Sequence, residues 1–561
     1  VKIPDNAGER AEFVKHVVSI CQASQQTRQQ SYRTLKQYYL YGDQLGATGV
    51  ASDVQGYGTV NKIWNHIDKT CSMLYSPDTV RFGVEIARNV SRDELRYAPI
   101  LTDAVMDTWH QSETDTRVGE AVRWALVYGT MHIKARPIKQ DLATDLIEPH
   151  HFGVYREDIC GLHNQEAFFH EYRITKSQLE YQLRVAGFKD YKAVVDAAIE
   201  NAGDEQQQTQ GVNQVITTTA LPSAQGEYNT SIGAQLSYVA TVKQPLVRMY
   251  ELYVFDDEIG DLRIFTVAHP FVPIYDRPIA DTFLEHDQPF VQICPFPMHG
   301  YYWGMSAVER LIVLQQLRNT RWEQVQHLMT LQAQPPTFVS GDMNGDPLEI
   351  QAAFDSPTGL VTSVNGSKAD RMAPAMPEDL FAEVNYLDTQ FDDAVGTSDV
   401  MSGKGEPGVR SEGHAAQLMR AGSSRAKARA LIIERQIEEL ATLILKIMRK
   451  YSDRVYKLEA EGNQPAIDFV AKQFTDEFMV HVDAHSSSPI FMIDMANMAF
   501  ALFKAKAIDR ATLIDMLNVP MRNLLKQKLK TNIEPAEKAA AQRQEQLELA
   551  TGKVSKIGSK K

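Results

Sequence analysis

The stretch WGMSAVERLIVLQQLRNTRWEQVQHLMTLQA, residues 303–333, and the later stretch EDLFAEVNYLDTQFDDAV, residues 378–395, govern how this chain is read. In the first, Val308, Leu311, Ile312, Trp322, Val325 and Met329 fall within one broad stripe of a helical wheel until Pro335 and Pro336 end the pattern. A helix from Met305 to Ala333 spans roughly 43 Å, whereas the average globular helix has only about 11 residues. The segment therefore reads as a strut. In the second, Leu380, Val384, Leu387, Phe391 and Val395 recur every three or four positions. Glu378, Asp379, Glu383, Asp388, Asp392 and Asp393 occupy other positions without a Lys or Arg among them, and Gly396 offers a stop.

Between the two, Gln334 to Pro377 is punctuated by Gly341-Asp342, Asn344-Gly345, Asp346-Pro347, Ser356-Pro357 and Asn365-Gly366, with a strand candidate at Leu360 to Val364. This predicts a small projecting tip. Beyond Gly396, Thr397 to Ser411 contains Gly403, Gly405, Pro407 and Gly408 among Lys404, Glu406 and Arg410, and reads as a loop. A last helix from about Glu412 to Tyr451, roughly 60 Å if straight, carries Ile433, Ile437, Leu440, Ile444, Ile447 and Tyr451 at alternating spacings of four and three. Its first half is basic, with Arg420, Arg425, Lys427 and Arg429 around Gly422-Ser423-Ser424, a run that predicts a kink.

This order of five elements resembles the portal protein, or head-to-tail connector, of tailed double-stranded DNA bacteriophages. The resemblance is strongest over 303–451 and implies an α+β, helix-rich ring subunit. Its parts would be a wing (1–302, with an exposed low-complexity excursion at 201–241), a first stem helix (303–333), a clip (334–377) and a second stem helix (378–396). A tunnel loop (397–411), a long kinked helix (412–451), a return through the wing (452–490), a crown (491–533) and a tail (534–561) would follow. The resemblance further implies a dodecameric ring at one capsid vertex of the virion, made in the host cytoplasm, for genome packaging and ejection. Its implied partners are the terminase large subunit, head-tail adaptor or tail proteins, major capsid and scaffold proteins, and double-stranded DNA without sequence specificity. Lys404 and Arg410 would touch DNA from the tunnel loop, the six acids of 378–395 would face the channel, and Arg420, Arg425, Lys427 and Arg429 are further basic candidates. Asp342, Asp346, Lys368 and Arg371 are the clip candidates for partner binding. No cofactor, metal or catalytic residue is implied, because ATP hydrolysis would belong to the terminase.

Composition agrees with this reading. The net charge of −13 argues against a simple nucleic-acid binder, whose affinity comes from Lys and Arg neutralising phosphates. A conduit differs, since repeated carboxylates keep phosphates off the wall. Cys21, Cys71, Cys160 and Cys294 lie far apart without C-x-x-C spacing, so neither a zinc knuckle nor a disulfide framework is indicated and a reducing compartment is expected. Apolar runs are interrupted by charges such as Lys446 and Asp494, no signal peptide is evident, and a protein soluble as synthesised is expected, with no membrane partner.

Upstream, helical patterns cover Ala7 to Leu40, Asn61 to Leu74, Asp93 to Gln111 and Asp115 to Tyr128. Strands are predicted at His132 to Pro137, His151 to Tyr155, Ala167 to Ile174, Leu246 to Phe255, Leu262 to Ala268 and Phe290 to Cys294, with short helices at Thr175 to Val185 and Tyr191 to Glu200. Downstream, a strand at Phe478 to Val482 precedes helices at Met495 to Lys506, Arg510 to Leu517 and Met521 to Lys530. Enzyme signatures fail residue by residue. Gly403-Lys404-Gly405 lacks the frame of a phosphate loop, Gly56-Tyr57-Gly58 lacks a third glycine, and His170-Glu171 meets Ile174 where a zincin needs histidine. His150-His151 near Glu148 and Asp158 is the only metal-like cluster, and adjacent residues on a strand would point apart. Asp256, Asp257, Glu258 and Gly260 read as a hairpin turn, and His299 to Gly304 as a packed aromatic corner with a lesser stacking role open to it. Two alternatives remain at this level: another ring-forming neck or adaptor protein, which is usually much shorter, and a DNA-processing enzyme with an unrecognised site.

Overall fold

The computed structural model describes residues 2–42, 60–77, 80, 82–86, 98–138, 141–188, 190–199, 246–269, 271–333, 337–340, 368–371, 377, 379–395, 424–458, 467–470, 478–482, 489–517, 525 and 528–529. Its centre is a mixed body in which α1 (Ala7–Tyr41), α2 (Lys62–Leu74), α3 (Ala98–Gln111) and α4 (Thr114–Tyr128) pack around two antiparallel sheets. One sheet has the order β4 (Phe152–Val154), β5 (Ala167–Thr175), β6 (Leu246–Asp256), β7 (Asp261–Ala268), β8 (Val272–Pro278); the other places β2 (Met131–Ile138) between β3 (Asp141–Ile147) and β9 (Phe290–Ile293). β1 (Phe82–Ile86) pairs with β14 (Phe478–Val482), and β12 (Val455–Leu458) with β13 (Ile467–Val470).

Strand alternation sends the five-stranded sheet into two cores. Phe168 and Tyr253 point to the central core, while Phe169, Leu252 and Val254 face the first half of α1, meeting Val14, Val17, Val18 and Cys21. Farther along, Val247 and Met249 meet Leu179 and Leu183 of α5 (Lys176–Val185) and Val195 of the helix at 191–199. The predicted hairpin turn is present: Asp256 pairs with Asp261, and the Gly260 amide donates to the Asp256 carbonyl at 2.8 Å with φ +70°. Strand β8 was not expected from sequence because Pro273 and Pro278 interrupt it; both are tolerated because β8 is an edge. β3 escaped prediction because its two aspartates dilute the strand signal.

The long helix after the basic segment is described over Ser424–Tyr451, where Ala430, Ile433, Ile437, Leu440, Ala441, Ile444 and Ile447 are buried in the central core. Gln436 brackets Cys294 at the end of β9, accepting from its amide at 3.0 Å and donating to its carbonyl at 3.2 Å. The predicted kink at 422–424, apart from Ser424 itself, and the 412–423 part of that predicted helix lie outside the described residues, as does the strand candidate at Leu360 to Val364. Near the C-terminus, helices occupy Pro489–Lys504 and Arg510–Met516; the last predicted helix falls almost wholly outside the description.

The aromatic corner is packed. Tyr302 and Trp303 are buried, Trp303 donates to Glu157 at 3.0 Å, and Arg28 binds Glu157 through two bonds while lying 4.8 Å from the Tyr301 ring centre. The strut helix departs from expectation here: it begins at Ile312, not Met305. Residues 305–311 are held in turns because the Met305 amide donates to Phe296, the Ala307 amide to Leu126, and Ser306 Oγ accepts from the Val308 and Glu309 amides. Ser306 thus acts as a cap for the turns at 307–311, which lead into the helix. His150 and His151 sit in a 3-10 turn, not on a strand, with ring centres 4.3 Å apart and Glu148 at 2.8 Å from His150. Among the described residues no group of three metal-binding side chains forms, the four cysteines are free, and no helix is long and apolar enough to cross a membrane.

Burial pushes His132 down to about 3, and His151 to about 3 with help from neighbouring His150; burial with nearby Arg429 and Lys69 takes His66 to about 4. The folded chain thus refuses protons that the unfolded chain accepts near pH 6.5, and stability falls as pH drops from 6.5 toward 4. At pH 5 the loss is about 2 kcal/mol per histidine. Urea midpoints at pH 7.5 and pH 5 check this, and a midpoint unchanged between them would count against it.

Candidate functional site: an antiparallel helix pair

The strut helix (Ile312–Ala333) lies against the acidic helix (Asp379–Val395), and ion pairs fix their relative direction. Arg318 Nε meets Asp388 Oδ1 at 2.7 Å, and Arg321 Nε meets Glu383 Oε1 at 2.9 Å. Advancing along one helix means retreating along the other, so the pair is antiparallel. Val384, Leu387 and Phe391, the apolar set of the acidic helix, are buried, as is Val325 of the strut. The strut's predicted apolar stripe does not persist along the helix. Val308 and Leu311 enter the core before the helix begins, Met329 is 42 % exposed, and the buried positions facing inward include Gln315 and Arg318.

The base of the pair is tied to the body by amides. Gln315 accepts from the Lys62 amide at 3.1 Å and donates to the Val60 carbonyl at 3.2 Å and to Asn319 at 2.7 Å; Asn319 donates to the Gly42 carbonyl at 2.8 Å. Gln316 donates to the Tyr38 hydroxyl. At the other end the chain runs into β10 (Thr337–Ser340) and returns through β11 (Lys368–Arg371), paired antiparallel from Thr337–Arg371 to Ser340–Lys368. Connectivity places this two-stranded element at the end of the pair away from that base.

Asp388 also receives Lys62 Nζ at 3.0 Å. Burial alone would raise its carboxyl; hydrogen bonds and charge from Arg318 and Lys62 outweigh that and hold it below the usual carboxylate range. Two of the six acids expected to face a channel, Glu383 and Asp388, are therefore engaged inside the subunit. Asp379 is exposed, Asp392 and Asp393 lie in the last turns of the helix with side chains outside the description, and Glu378 is outside it. Lys404, Arg410, Arg420, Asp342 and Asp346 also lie outside the described residues, and for Lys368, Arg371 and Arg425 only the backbone is described. Arg429 stacks on Phe296 at 4.5 Å from the ring centre, and Lys427 is half-buried. Sequence reasoning missed Lys62, Gln315, Arg318 and Arg321. The available signal was the i, i+3 arginine pair on one helix set against acids spaced five apart on the other.

Residues 79–531 match the model of the family described as phage SU10 portal protein. The chain belongs to that family. No curated protein matches the sequence. Among solved structures, a chain of the virion of a native gene transfer agent particle aligns with 87 % of this chain and 93 % of its own, at 9 % identity and a TM-score of 0.39, values too low to carry an argument. Family membership supports a portal role and a structural class of protein, and the mixed helix and sheet body is consistent with it.

Asp388→Ala strands the Arg318 guanidinium, whose side chain is 7 % exposed. It is expected to lower stability by about 1–3 kcal/mol, and Arg318→Met with Asp388→Leu should restore most of that. A double-mutant cycle by urea unfolding checks the coupling; strictly additive losses would show that the two side chains act independently.

Proposed function

We propose that this chain is one subunit of a closed portal ring at a capsid vertex of a virion, forming the channel through which double-stranded DNA is packaged and ejected. The observation that carries the reading is the antiparallel helix pair in a member of the portal family: rooted in the body through Gln315 and Asn319, crossed by ion pairs, and ended by the β10–β11 element. In this reading the pair is the stem (303–333 and 378–396), 334–377 is the clip, 397–411 the tunnel loop, 412–451 the kinked helix and 491–533 the crown, with 1–302 and 452–490 as the wing.

The clip, with Asp342, Asp346, Lys368 and Arg371, docks the terminase during packaging and adaptor or tail proteins afterwards. Glu383 and Asp388 brace the stem, so repulsion of phosphates falls to Asp379 and to Glu378, Asp392 and Asp393. Lys404 and Arg410 touch the DNA backbone from the tunnel loop without reading sequence. ATP hydrolysis is left to the terminase partner.

Mass photometry with negative-stain imaging tests the ring. Closed assemblies of about twelve copies of the 63.1 kDa chain with a central hole are expected; a monomer or dimer at every salt and concentration would overturn the reading. Lys404→Ala with Arg410→Ala should alter packaging or genome retention while rings still form, and unchanged packaging and retention would remove the loop from the mechanism.

A further inference from the structure

Four histidines gather beneath the middle of α1. His132 of β2 stacks on Phe152 at 3.9 Å between ring centres, His150 and His151 of the turn before β4 are 4.3 Å apart, and His170 of β5 is the register partner of Phe152. The buried Nδ1 atoms of His132, His151 and His170 have no hydrogen-bond partner among the described residues. α1 meets this group through its polar stretch. Val14, Val17, Val18 and Cys21 pack in a core separate from the central one, and Tyr32, Leu35, Tyr38 and Tyr39 enter the central core. Between them Gln25 donates to the His150 carbonyl and, at 3.2 Å, to Glu171, while Ser24 and Arg28 donate to Glu157. A Cβ at Gly153 would lie 2.9 Å from the Cys21 carbonyl oxygen, so α1 and the 149–154 segment touch backbone to backbone.

Among the described residues, the carboxylates around the group are already matched to cations. Glu148 meets His150 at 2.8 Å and lies near Lys36, Glu251 holds Lys134 and stands 3.6 Å from His170, and Glu171 faces Arg248 at 3.4 Å. Glu157 binds Arg28, and Asp145 binds Arg136 at 2.6 Å. His151 further faces Arg173 and His170; His132 faces His170 and, at 2.8 Å, the Tyr302 hydroxyl. Burial holds Tyr128, Tyr172, Tyr253 and Tyr302 neutral. A proton arriving on His132 or His151 therefore has no unmatched carboxylate to meet, and a buried charge without a partner is costly.

We propose that the 149–154 segment is an acid-sensitive seat: when His132 and His151 take up protons, α1 lifts from it over residues 7–28 while the central core stays folded. Lifting lets the imidazoles reach water and ionise, a local opening of the kind that leaves the rest of a fold intact. A histidine that titrates near 6.5 in water and at about 3 when buried favours the open form about thirtyfold at pH 5. The helix pair is not drawn in, because Arg318 and Lys62 hold the Asp388 carboxyl below the usual range and it keeps its charge at that pH. The seat lies within one subunit and does not depend on the ring.

The four free cysteines report on the opening. Cys21 sits in α1 at the seat, Cys71 in α2 and Cys294 just after β9 are buried elsewhere, and Cys160 is exposed. The full chain is labelled with dithiodipyridine, and the label mapped by mass to each cysteine is divided by that at Cys160, which cancels the pH dependence of the reagent. From pH 7.5 to pH 5 the Cys21 ratio should rise about tenfold or more, with those of Cys71 and Cys294 level. In His132→Gln with His151→Gln the rise at Cys21 should disappear. Where that variant does not fold, His151→Gln alone, at a half-buried position, should cut the rise about threefold or more. Equal rises at Cys21, Cys71 and Cys294 would mean unfolding of the whole chain and overturn the seat. A Cys21 ratio unchanged at pH 5, or a rise undiminished in the folded variant, would overturn it as well.

Discussion

The crossing of the chain at Gly129 and Gly304 is the constraint on which the rest of the molecule depends. A Cβ at Gly304 would lie 2.4 Å from the Gly129 carbonyl oxygen and 2.3 Å from Cys294 Sγ, and a Cβ at Gly129 would lie 2.2 Å from the Gly304 carbonyl oxygen, with φ at +91°. No side chain fits at either position without moving backbone. Because the two backbones touch, the end of α4, the start of β2, the end of β9 and the approach to the strut occupy one small volume. The Gly304 amide donates to Thr130 at 2.8 Å, and the aromatic corner at Tyr302 and Trp303 is fixed one residue away. The strut therefore leaves the body in one direction.

From that fixed origin the energetics of the helix pair follow. A long helix with few buried apolar side chains of its own gains little from packing, and the strut compensates with polar anchors at its base and ion pairs along its side. Arg318 is largely desolvated, so it has to be paired; Asp388 and Lys62 with it form a three-membered cluster in which each charge faces an opposite one. The consequence for function is a redistribution. Of the described acids in the row at 378–395, Glu383 and Asp388 brace the pair and Asp379 is exposed.

Much of the architecture was legible in the sequence because it is local. Helix and strand periods located α1, α2, α3, α4, β5, β6, β7 and β9 to within a few residues, and Gly260 marked the hairpin at Asp256 and Asp261. Where the signal was diluted it failed: prolines hid β8, aspartates hid β3, and the amphipathic look of 305–311 extended the strut by seven residues that are held in turns by Phe296, Leu126 and Ser306. The candidate site was legible as two helices flanking an insertion, not as a set of contacts.

By itself, the sequence determined which segments are helical, which carry the acids, and the order of strut, insertion and acidic helix, because those follow from spacing between near neighbours and from composition. Only the tertiary structure decided where the strut begins and that Glu383 and Asp388 are neutralised. Those outcomes depend on partners far apart along the chain, 70 residues between Arg318 and Asp388 and 174 between Thr130 and Gly304. A charge on a helical wheel has a direction, but whether it meets a counter-ion, water or a neighbouring chain is set by what the fold brings opposite it.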